Sequence, residues 1–591
     1  MIVPMKKLYL LLLDKDADEA LRALRALGVV HVENNRPPKG EEINLLSERI
    51  ALVDKAIEII SDPEFHAASV PEKEVGGWEP VARHIVDRKK HLDHLAEFSL
   101  ALKAKISQWE EWGDFNPGDV QLLKEKNVGM RFYRIPAGDF KKISDGLLVK
   151  EISRVKGVVN CIIISGEAPA VPFKELELPK SGLGQMRQRL QEDLKIAEGI
   201  KNELKSLSGY LSGLRRQRSL LEKDREFLEV LKGMGQEGSL AYLTGYVPFD
   251  KVELVKSAAT ANRWGIKVGD PGEDDRVPTL LRNPRWVSII APMFELIQVA
   301  PGYRELDISL LFLFFLSLFF GILIGDAGYG LVYLLVTLFF HHKLRSKVKN
   351  KSIFLLSYIF SSCAIIWGVL SATFFGADWL PRWIHPLVPA LRDPKDVQML
   401  CFFIGAFHLS LGHAWRAVKK APDLRFLTEI GWIMILWGAF FLAKTLVLGD
   451  TFPFFGKWLF SLGGTMVVFF TAPAKNILKS VGPGIGNLLL NLVNNFTDVV
   501  SYIRLFAVGL ATVAVADAFN NMAATVGFNN ILTAIVALLI ILVGHTLNLI
   551  LGPMSVLVHG VRLNVLEFCS HVDVKWSGFN YSPLREEKAV K

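Results

Sequence analysis

The chain has 591 residues, half of them hydrophobic, and a net charge of +8. Its four cysteines (Cys161, Cys363, Cys401, Cys569) are too few for a disulfide framework and form no CxxC pair that would suggest zinc. No GxxxxGK(S/T) run is present, which excludes a Walker-type phosphate loop.

The charge is unevenly placed. Residues 301–591 hold 23 Lys+Arg against 15 Asp+Glu, so residues 1–300 balance at 45 of each. Residues 518–561 contain no Asp, Glu, Lys or Arg over 44 positions, well beyond the roughly 18 apolar residues that suggest a membrane span. The sequence therefore predicts a charge-dense soluble half followed by an oily membrane half.

At the N-terminus, Lys6 and Lys7 precede a short apolar run that Asp14, Asp16 and Asp18 end at once, the pattern of a buried strand and not of a signal peptide. The soluble half is accordingly expected in the cytoplasm. Residues 1–35 read as strand, helix, strand, with Gly28 closing the helix.

Leu92, Leu95, Leu102, Ile106 and Trp109 follow at helical spacing with Ser99 in the missing step, and Leu204, Leu207, Leu211, Leu214, Leu221 and Leu228 repeat the pattern. These spacings predict coiled-coil arms over about 42–112 and 181–233 around a distal α/β lobe at 115–178. A helical bundle folded back on itself is the plainer reading; the extended strut is favoured. Residues 1–40 and 238–285 are expected to pair as a proximal lobe, completing a cytoplasmic region over 1–300, with 271–300 as the linker into the bilayer.

Eight spans are expected in 301–591, near 308–325, 327–341, 352–372, 398–415, 427–447, 457–473, 484–523 and 530–570. Basic clusters follow the second span (Lys343, Arg345, Lys347, Lys349, Lys351), the fourth (Arg416, Lys419, Lys420, Arg425) and the sixth (Lys475, Lys479). Positive loops mark the cytoplasmic side, so every even span ends inside and both termini are cytoplasmic. The fold class is thus a multi-domain membrane protein. Its N-terminal cytoplasmic α/β lobes are joined by an antiparallel coiled coil, and an all-α transmembrane domain of eight helices follows.

Polar residues inside apolar spans are costly and mark cavities or partners. The seventh span carries Asn487, Asn491, Asn494, Thr497, Ser501 and Arg504 on one helical face; the eighth carries His545, Asn548, Gly552, Ser555, His559 and Arg562. For single Asn or Ser residues, interhelical hydrogen bonding is the plainer account, and Arg562 could snorkel to the surface. Arg504 is different, because no acid shares its face within one turn. The membrane half offers Asp326, Glu429, Asp498, Asp517 and Glu567, mostly near span ends, so the sequence points to a partner carboxylate on another subunit. A guanidinium favours proton loss from a nearby carboxylate, the physics of an ion-translocating interface. Ala507, Gly509, Ala511, Ala514, Ala516 and Ala518 would let another helix approach closely. Counting from a turn near residue 528 sets Arg504 and Arg562 about 15 Å apart in depth if both helices are regular and equally tilted.

Five segments, in order, resemble one family: IVPMKKLYLL, VPTLLRNP with RELDIS, FFGILIGDAGYG, DVVSYIRLFAVGLA and LVHGVRLNVLEF. The chain is similar throughout to the membrane stator subunit of rotary V/A-type ATPases, called subunit I or subunit a. The resemblance implies proton or sodium half-channels against a rotating proteolipid ring, with Arg504 as the essential arginine and Arg562 as its support. An ion would neutralise a ring carboxylate from one half-channel, ride through lipid, and leave near Arg504 into the other. The resemblance also implies arms that anchor peripheral stalks, contact with a central stalk or ring adaptor subunit, and nucleotide chemistry on separate subunits. The subunit itself would be non-catalytic, without cofactor, metal or nucleic acid, in a prokaryotic cell membrane.

The expected ion-translocation set is Arg504, Arg562, Ser501, His559, Glu567, Asn494, Asp498, Ser555, Asn548 and His545. Eukaryotic relatives carry a glutamate ten residues before the second arginine, where this chain has Gly552, which leaves Ser555, His545 or Asn548 to line the outer path. His559 matches a family histidine. A secondary transporter with a cytoplasmic regulatory domain would need internal repeats, and none relates spans 1–4 to 5–8. A membrane-anchored scaffold would leave the two arginine-bearing stripes unexplained.

Overall fold

A computed structural model describes residues 1–66, 70–73, 76–140, 147–155, 157–165, 171–345, 348, 350–376, 385–473 and 477–586, with backbone alone for 477–480. Lys347, Lys349, Lys475 and the side chain of Lys479, used above to orient the spans, lie outside the described residues.

The soluble elements run β1 (Met5–Leu13), α1 (Ala17–Leu27), β2 (His31–Glu33), α2 (Glu41–Ser61), α3 (Trp78–Glu110), α4 (Pro117–Glu125), β3 (Gly129–Pro136), α5 (Ala137–Phe140), β4 (Leu148–Val155) and β5 (Val158–Ser165). They continue with α6 (Leu183–Leu207), α7 (Leu211–Gly233), β6 (Gly235–Glu237), β7 (Leu240–Pro248), α8 (Val252–Ala261), β8 (Gly265–Gly269) and α9 (Ala291–Ile297). The oily half contains α10 (Ser309–Ile324), α11 (Ala327–Leu344), α12 (Ser352–Ser371), α13 (Pro394–Lys420), α14 (Phe426–Leu448), α15 (Phe454–Phe470), α16 (Ile477–Val500), α17 (Ile503–Val526) and α18 (Ile531–Ser555). Two π-helical segments, Val556–Gly560 and Leu563–Phe568, then lead into α19 (Cys569–Val572).

The chain forms two compact units. One comprises Leu12–Leu21 and Asn34–Leu243. In it α3 packs against α6 and α2 against α7. Ion pairs Glu110–Arg187, Glu64–Lys201, Asp54–Arg218 and Glu42–Lys232 fix the sense as antiparallel, one number rising as the other falls. All are substantially exposed and contribute at most about 1 kcal/mol each; the apolar seam carries the association. Leu92, Leu102, Trp109, Leu204, Leu214 and Leu221 are buried in it, and so is Ser99.

Both arms are broken, against the sequence expectation of continuous helices. The first breaks after Ser61, where Pro63 and Pro71 remove backbone donors. The second breaks at the 3-10 turn Ser208–Tyr210. The two breaks face each other: Lys73 N–H donates to Gly209 O at 2.9 Å, and a Cβ on Gly209 would stand 2.6 Å from Pro71 O. Beyond the arms, the sheet β3-β5-β4 packs Phe132 against Trp109, Trp112 and Phe115.

The other unit comprises Met1–Leu11, Arg22–Glu33 and Thr244–Lys591. Its sheet runs β2-β7-β1-β8, with Leu8 opposite Val268 and Val32 opposite Gly245. The C-terminal tail returns to this sheet. Leu584 N–H donates to Val30 O at 3.0 Å, and Tyr581 N–H donates to Thr279 O at 3.0 Å. Residues 579–586 thus pack with the N-terminal sheet, although they follow the membrane helices in sequence.

Among the described residues, five helical stretches are long and apolar enough to cross a membrane: Ser352–Ser371, Pro394–Lys420, Phe426–Leu448, Val481–Val526 and Ile531–Val572. Ser309–Ile324 and Phe454–Phe470 are apolar but shorter. α10 is apolar on every side and correspondingly central; Phe312, Phe315, Leu316, Phe319 and Leu323 are fully buried against α12, α17 and the π segments. The expected single seventh span is two helices, α16 and α17, separated at Ser501–Tyr502.

Candidate ion-translocation site

The break between α16 and α17 sets the position of Arg504. Tyr502 is completely buried, its hydroxyl 2.8 Å from His408 Nδ1. The ring fits because residue 405 is glycine: a Cβ there would lie 2.7 Å from Tyr502 Cδ2. His408 is itself stacked between Phe315 and Phe568, at 3.7 and 4.1 Å between ring centroids. Held by this plug, the chain turns, and Arg504 Nε donates to Ser501 O at 2.9 Å.

Arg504 does have an acidic partner within the chain. Its Nη2 donates to Glu567 Oε1, and Arg562 Nε stands 3.6 Å from the same oxygen. The sequence points to a partner carboxylate on another subunit; within the chain Glu567, 63 positions away, also reaches Arg504 through tertiary packing, which helical spacing cannot show. One sequence expectation is corrected, the offset of about 15 Å in depth: both guanidiniums meet one oxygen. The premise of regular helices fails, because the chain is π-helical over Val556–Gly560 and Leu563–Phe568, either side of Arg562. Such π segments are frequent at functional sites.

A polar cavity of about 510 Å³ adjoins this pair. Asn487, Asn491, Asn494, Thr497 and Asp498 line it from the seventh span, and Arg562, Glu567 and His571 from the eighth. α13 and α14 contribute His413, Arg416, Lys420 and Glu429. Along its wall run close contacts: Asp498 Oδ2 to His571 Nε2 at 3.0 Å, His571 Nδ1 to His413 Nε2 at 2.9 Å, and His413 Nδ1 to Glu429 Oε2 at 2.6 Å. Glu429 Oε1 accepts from Lys420 and pairs with Arg416 at 3.2 Å. His413, His571 and Glu429 were missed as site residues. They sit on three separate elements, and only the basic loop after the fourth span hinted at them.

A second cavity, of about 310 Å³, lies along α17, from Leu505 and Gly509 to Asp517, with Arg392 and Thr373 opposite. Ser555, His545 and Asn548, expected on this outer path, line neither cavity. His545 Nδ1 instead meets Tyr329 OH at 2.7 Å, and Asn548 Nδ2 donates to Thr512 O at 2.8 Å, so both fasten helices together. Ser555 and His559 are half-buried on the π-helical side and also border neither cavity. Asp326, another acid of the membrane half, is fully buried and accepts from Tyr329 N–H and Gly376 N–H at 3.1 and 3.0 Å; it is a helix cap.

The small residues of α17 divide by face. Gly509 and Ala516 are buried, Gly509 so close to α10 that a Cβ would stand 2.5 Å from Ile322 O. Ala507, Ala511, Ala514 and Ala518 are exposed, continuing from Arg504 at spacings of 3, 4, 3 and 4.

No family model matches the chain. It is 32% identical to V-type ATP synthase subunit I 1 of Treponema pallidum, with 99% of this chain and all of that protein aligned. It is 30% identical to V-type ATP synthase subunit I of Borreliella burgdorferi over the whole of both chains. A-type ATP synthase subunit I of Methanocaldococcus jannaschii is 26% identical over 71% of this chain and 64% of that protein. With the first two alignments running essentially end to end, the chain belongs to the V/A-type ATP synthase subunit I family, the non-catalytic membrane stator subunits of these complexes.

Proposed function

We propose that this chain carries the ion path of its rotary complex past a proteolipid ring, with two half-channels meeting at Arg504. The observation that carries the reading is that Arg504 pairs with Glu567, which lines the polar cavity, while the helix that Arg504 heads, α17, lines the second cavity from Leu505 on. The polar one reaches Glu567 and Arg562 from the Lys420 side, and the other begins at Leu505 and ends at Asp517 and Arg392. The exposed face headed by Arg504 and continued by alanines suits close approach of a ring helix. A ring carboxylate arriving there would lose its proton or release its ion beside the guanidinium.

In this reading the oily half crosses the membrane eight times, with α10, α11 and α15 joining the five longer stretches. Both termini and the Lys420 end face the cytoplasm, in keeping with the basic residues Lys343, Arg345, Arg416, Lys419 and Arg425. The polar cavity is then the inner half-channel and the Asp517 cavity the outer one. The antiparallel arms of the soluble unit act as a coiled-coil strut for peripheral stalks. Ser501, Asn494 and Asp498 serve the inner path, and Ser555, His559, His545 and Asn548 support it through packing.

The test is ATP-driven ion uptake into membrane vesicles with the assembled complex, wild type against Arg504→Gln. Loss of uptake with assembly intact is expected. Uptake at the wild-type rate would reduce Arg504 to a structural residue and overturn the proposal.

A further inference from the structure

The four groups along the wall of the polar cavity have a hydrogen-bond count that their positions fix. Three contacts link Glu429, His413, His571 and Asp498 in series, and each needs one proton between its two heavy atoms. With both end carboxylates ionised they only accept, so the outer contacts take their protons from His413 Nδ1 and His571 Nε2. The middle contact, between His413 Nε2 and His571 Nδ1, needs a third. Two neutral imidazoles carry only two N–H protons. The series is complete only when the histidine pair holds three, that is, one proton beyond neutrality.

The surrounding charges favour that extra proton at one end. Glu429 is 1% exposed and already paired with Lys420 and Arg416, so its charge is balanced without the histidines. Asp498 has His571 as its ion-pair partner among the described residues. Arg416 also approaches the pair, its Nη1 3.4 Å from His571 O, while Arg562 and Glu567 share the cavity. Trp432 lies along His413 and shields it. The imidazolium therefore belongs beside Asp498, in the cavity that Arg562 and Glu567 also line.

We propose that His413 and His571 form a proton-holding dyad in the inner half-channel, exchanging one proton with Asp498 and through it with the Arg504 site; this rests on the function proposed above. Transfer is a proton hop. His571 Nε2 gives its proton to Asp498 Oδ2, the N–H bond breaking as the O–H bond forms. Asp498 then releases that proton to the cavity on the Arg504 side, its O–H bond breaking and the carboxylate re-forming, and the neutral histidine pair regains a proton from the cavity. No electrons move, and the net result is one proton carried toward the ring per cycle. Imidazole and carboxylate in series pass protons, so the dyad assigns H⁺ as the ion handled on this side.

The experiment uses the intact complex in inside-out vesicles, with ATP-driven acidification measured in sodium-free buffer. Wild type is expected to acidify. His571→Gln and His413→Gln, which keep hydrogen-bonding groups but cannot relay, should assemble and lose at least tenfold in acidification rate. Added free imidazole, a small diffusible proton carrier, should restore part of it, which a purely structural role would not allow. Wild-type rates in both variants, or a loss with assembly intact that imidazole does not relieve, would overturn the dyad. Should neither variant assemble, the wild-type complex still decides: ATP-driven sodium uptake that persists with a protonophore present, without acidification in sodium-free buffer, sinks the proposal. That last outcome would leave the stator reading standing, because only Arg504→Gln tests it.

Discussion

Arg504 and Arg562 address the same oxygen of Glu567, one by direct donation and the other at 3.6 Å. Glu567 is 6% exposed, whereas the Arg562 side chain is 56% exposed and so retains water. On the function proposed above, a ring carboxylate that pairs with Arg504 would have to compete with Glu567, and the displaced Glu567 would fall back on Arg562. The resident acid would thereby keep the bond between ring and stator exchangeable.

Glu567→Gln removes that competition while keeping an acceptor for Arg504. The ring carboxylate should then be held more tightly and released more slowly. A difference of about 1.4 kcal/mol gives a tenfold slower step. Turnover of the coupled complex is expected to drop on the order of tenfold, with ions moved per ATP unchanged. Measuring both quantities on one vesicle preparation checks this, and an unchanged turnover would show that Glu567 is not a competitor.

Asp326 is one of the few acids that the sequence places in the membrane half. In the structure both of its oxygens accept from backbone N–H groups, at the first turn of α11 and at Gly376. Asp326→Asn preserves one acceptor oxygen, and ion uptake per assembled complex should stay near wild type. Asp326→Ala strands buried donors and should destabilise by roughly 1–3 kcal/mol. Thermal unfolding in detergent together with uptake separates the two effects; a tenfold loss of uptake in the stable Asn variant would put Asp326 on the ion path.

The difference between Arg504 and Asp326 shows what the sequence could disclose. Polar stripes at helical spacing are a local property, and they located the seventh and eighth spans and both arginines. Which acid meets which arginine depends on packing between α17 and the π segments, and no spacing rule reports π-helical winding. His413 and His571 were invisible for the same reason: one sits in α13 and the other in α19, and each alone is an unremarked histidine near a span end. In the arms the leucine seam, including Ser99, was legible. The facing breaks were not, since they depend on Gly209 meeting Pro71 across the hairpin.

The N-terminal sheet carries a pH-dependent contact. Lys7 Nζ donates to Asp275 Oδ1 at 2.6 Å, and this bond holds the Asp275 carboxyl below its ordinary range, helped by Gly272 N–H at 2.7 Å. A carboxyl whose folded value is depressed stabilises the fold above its unfolded value, near 3.9, and loses that contribution as the pH falls through the folded value. Lys7 stays charged throughout. Asp275→Asn should therefore lower the unfolding temperature at pH 7, and the gap from wild type should close as the pH falls through the lowered folded value of the carboxyl. A gap that is constant across that range would mean the contact acts through packing alone.

Two small residues on α17, two positions apart, should respond in opposite ways. Gly509 faces α10, and the Cβ of Gly509→Ala would lie 2.5 Å from Ile322 O, a backbone atom of a fully packed helix. Overpacking of this kind costs about 1–3 kcal/mol, so that variant should destabilise the isolated subunit. Ala511 is exposed on the stripe headed by Arg504. Ala511→Trp is a change at an exposed position, and its effect on the stability of the isolated subunit should stay within roughly 0.5 kcal/mol. It would fill the space a ring helix needs and should strongly reduce co-purification of the ring and ion uptake. Should Ala511→Trp assemble and pump normally, the exposed alanine face would be a lipid surface, and the ring would have to approach Arg504 from another side.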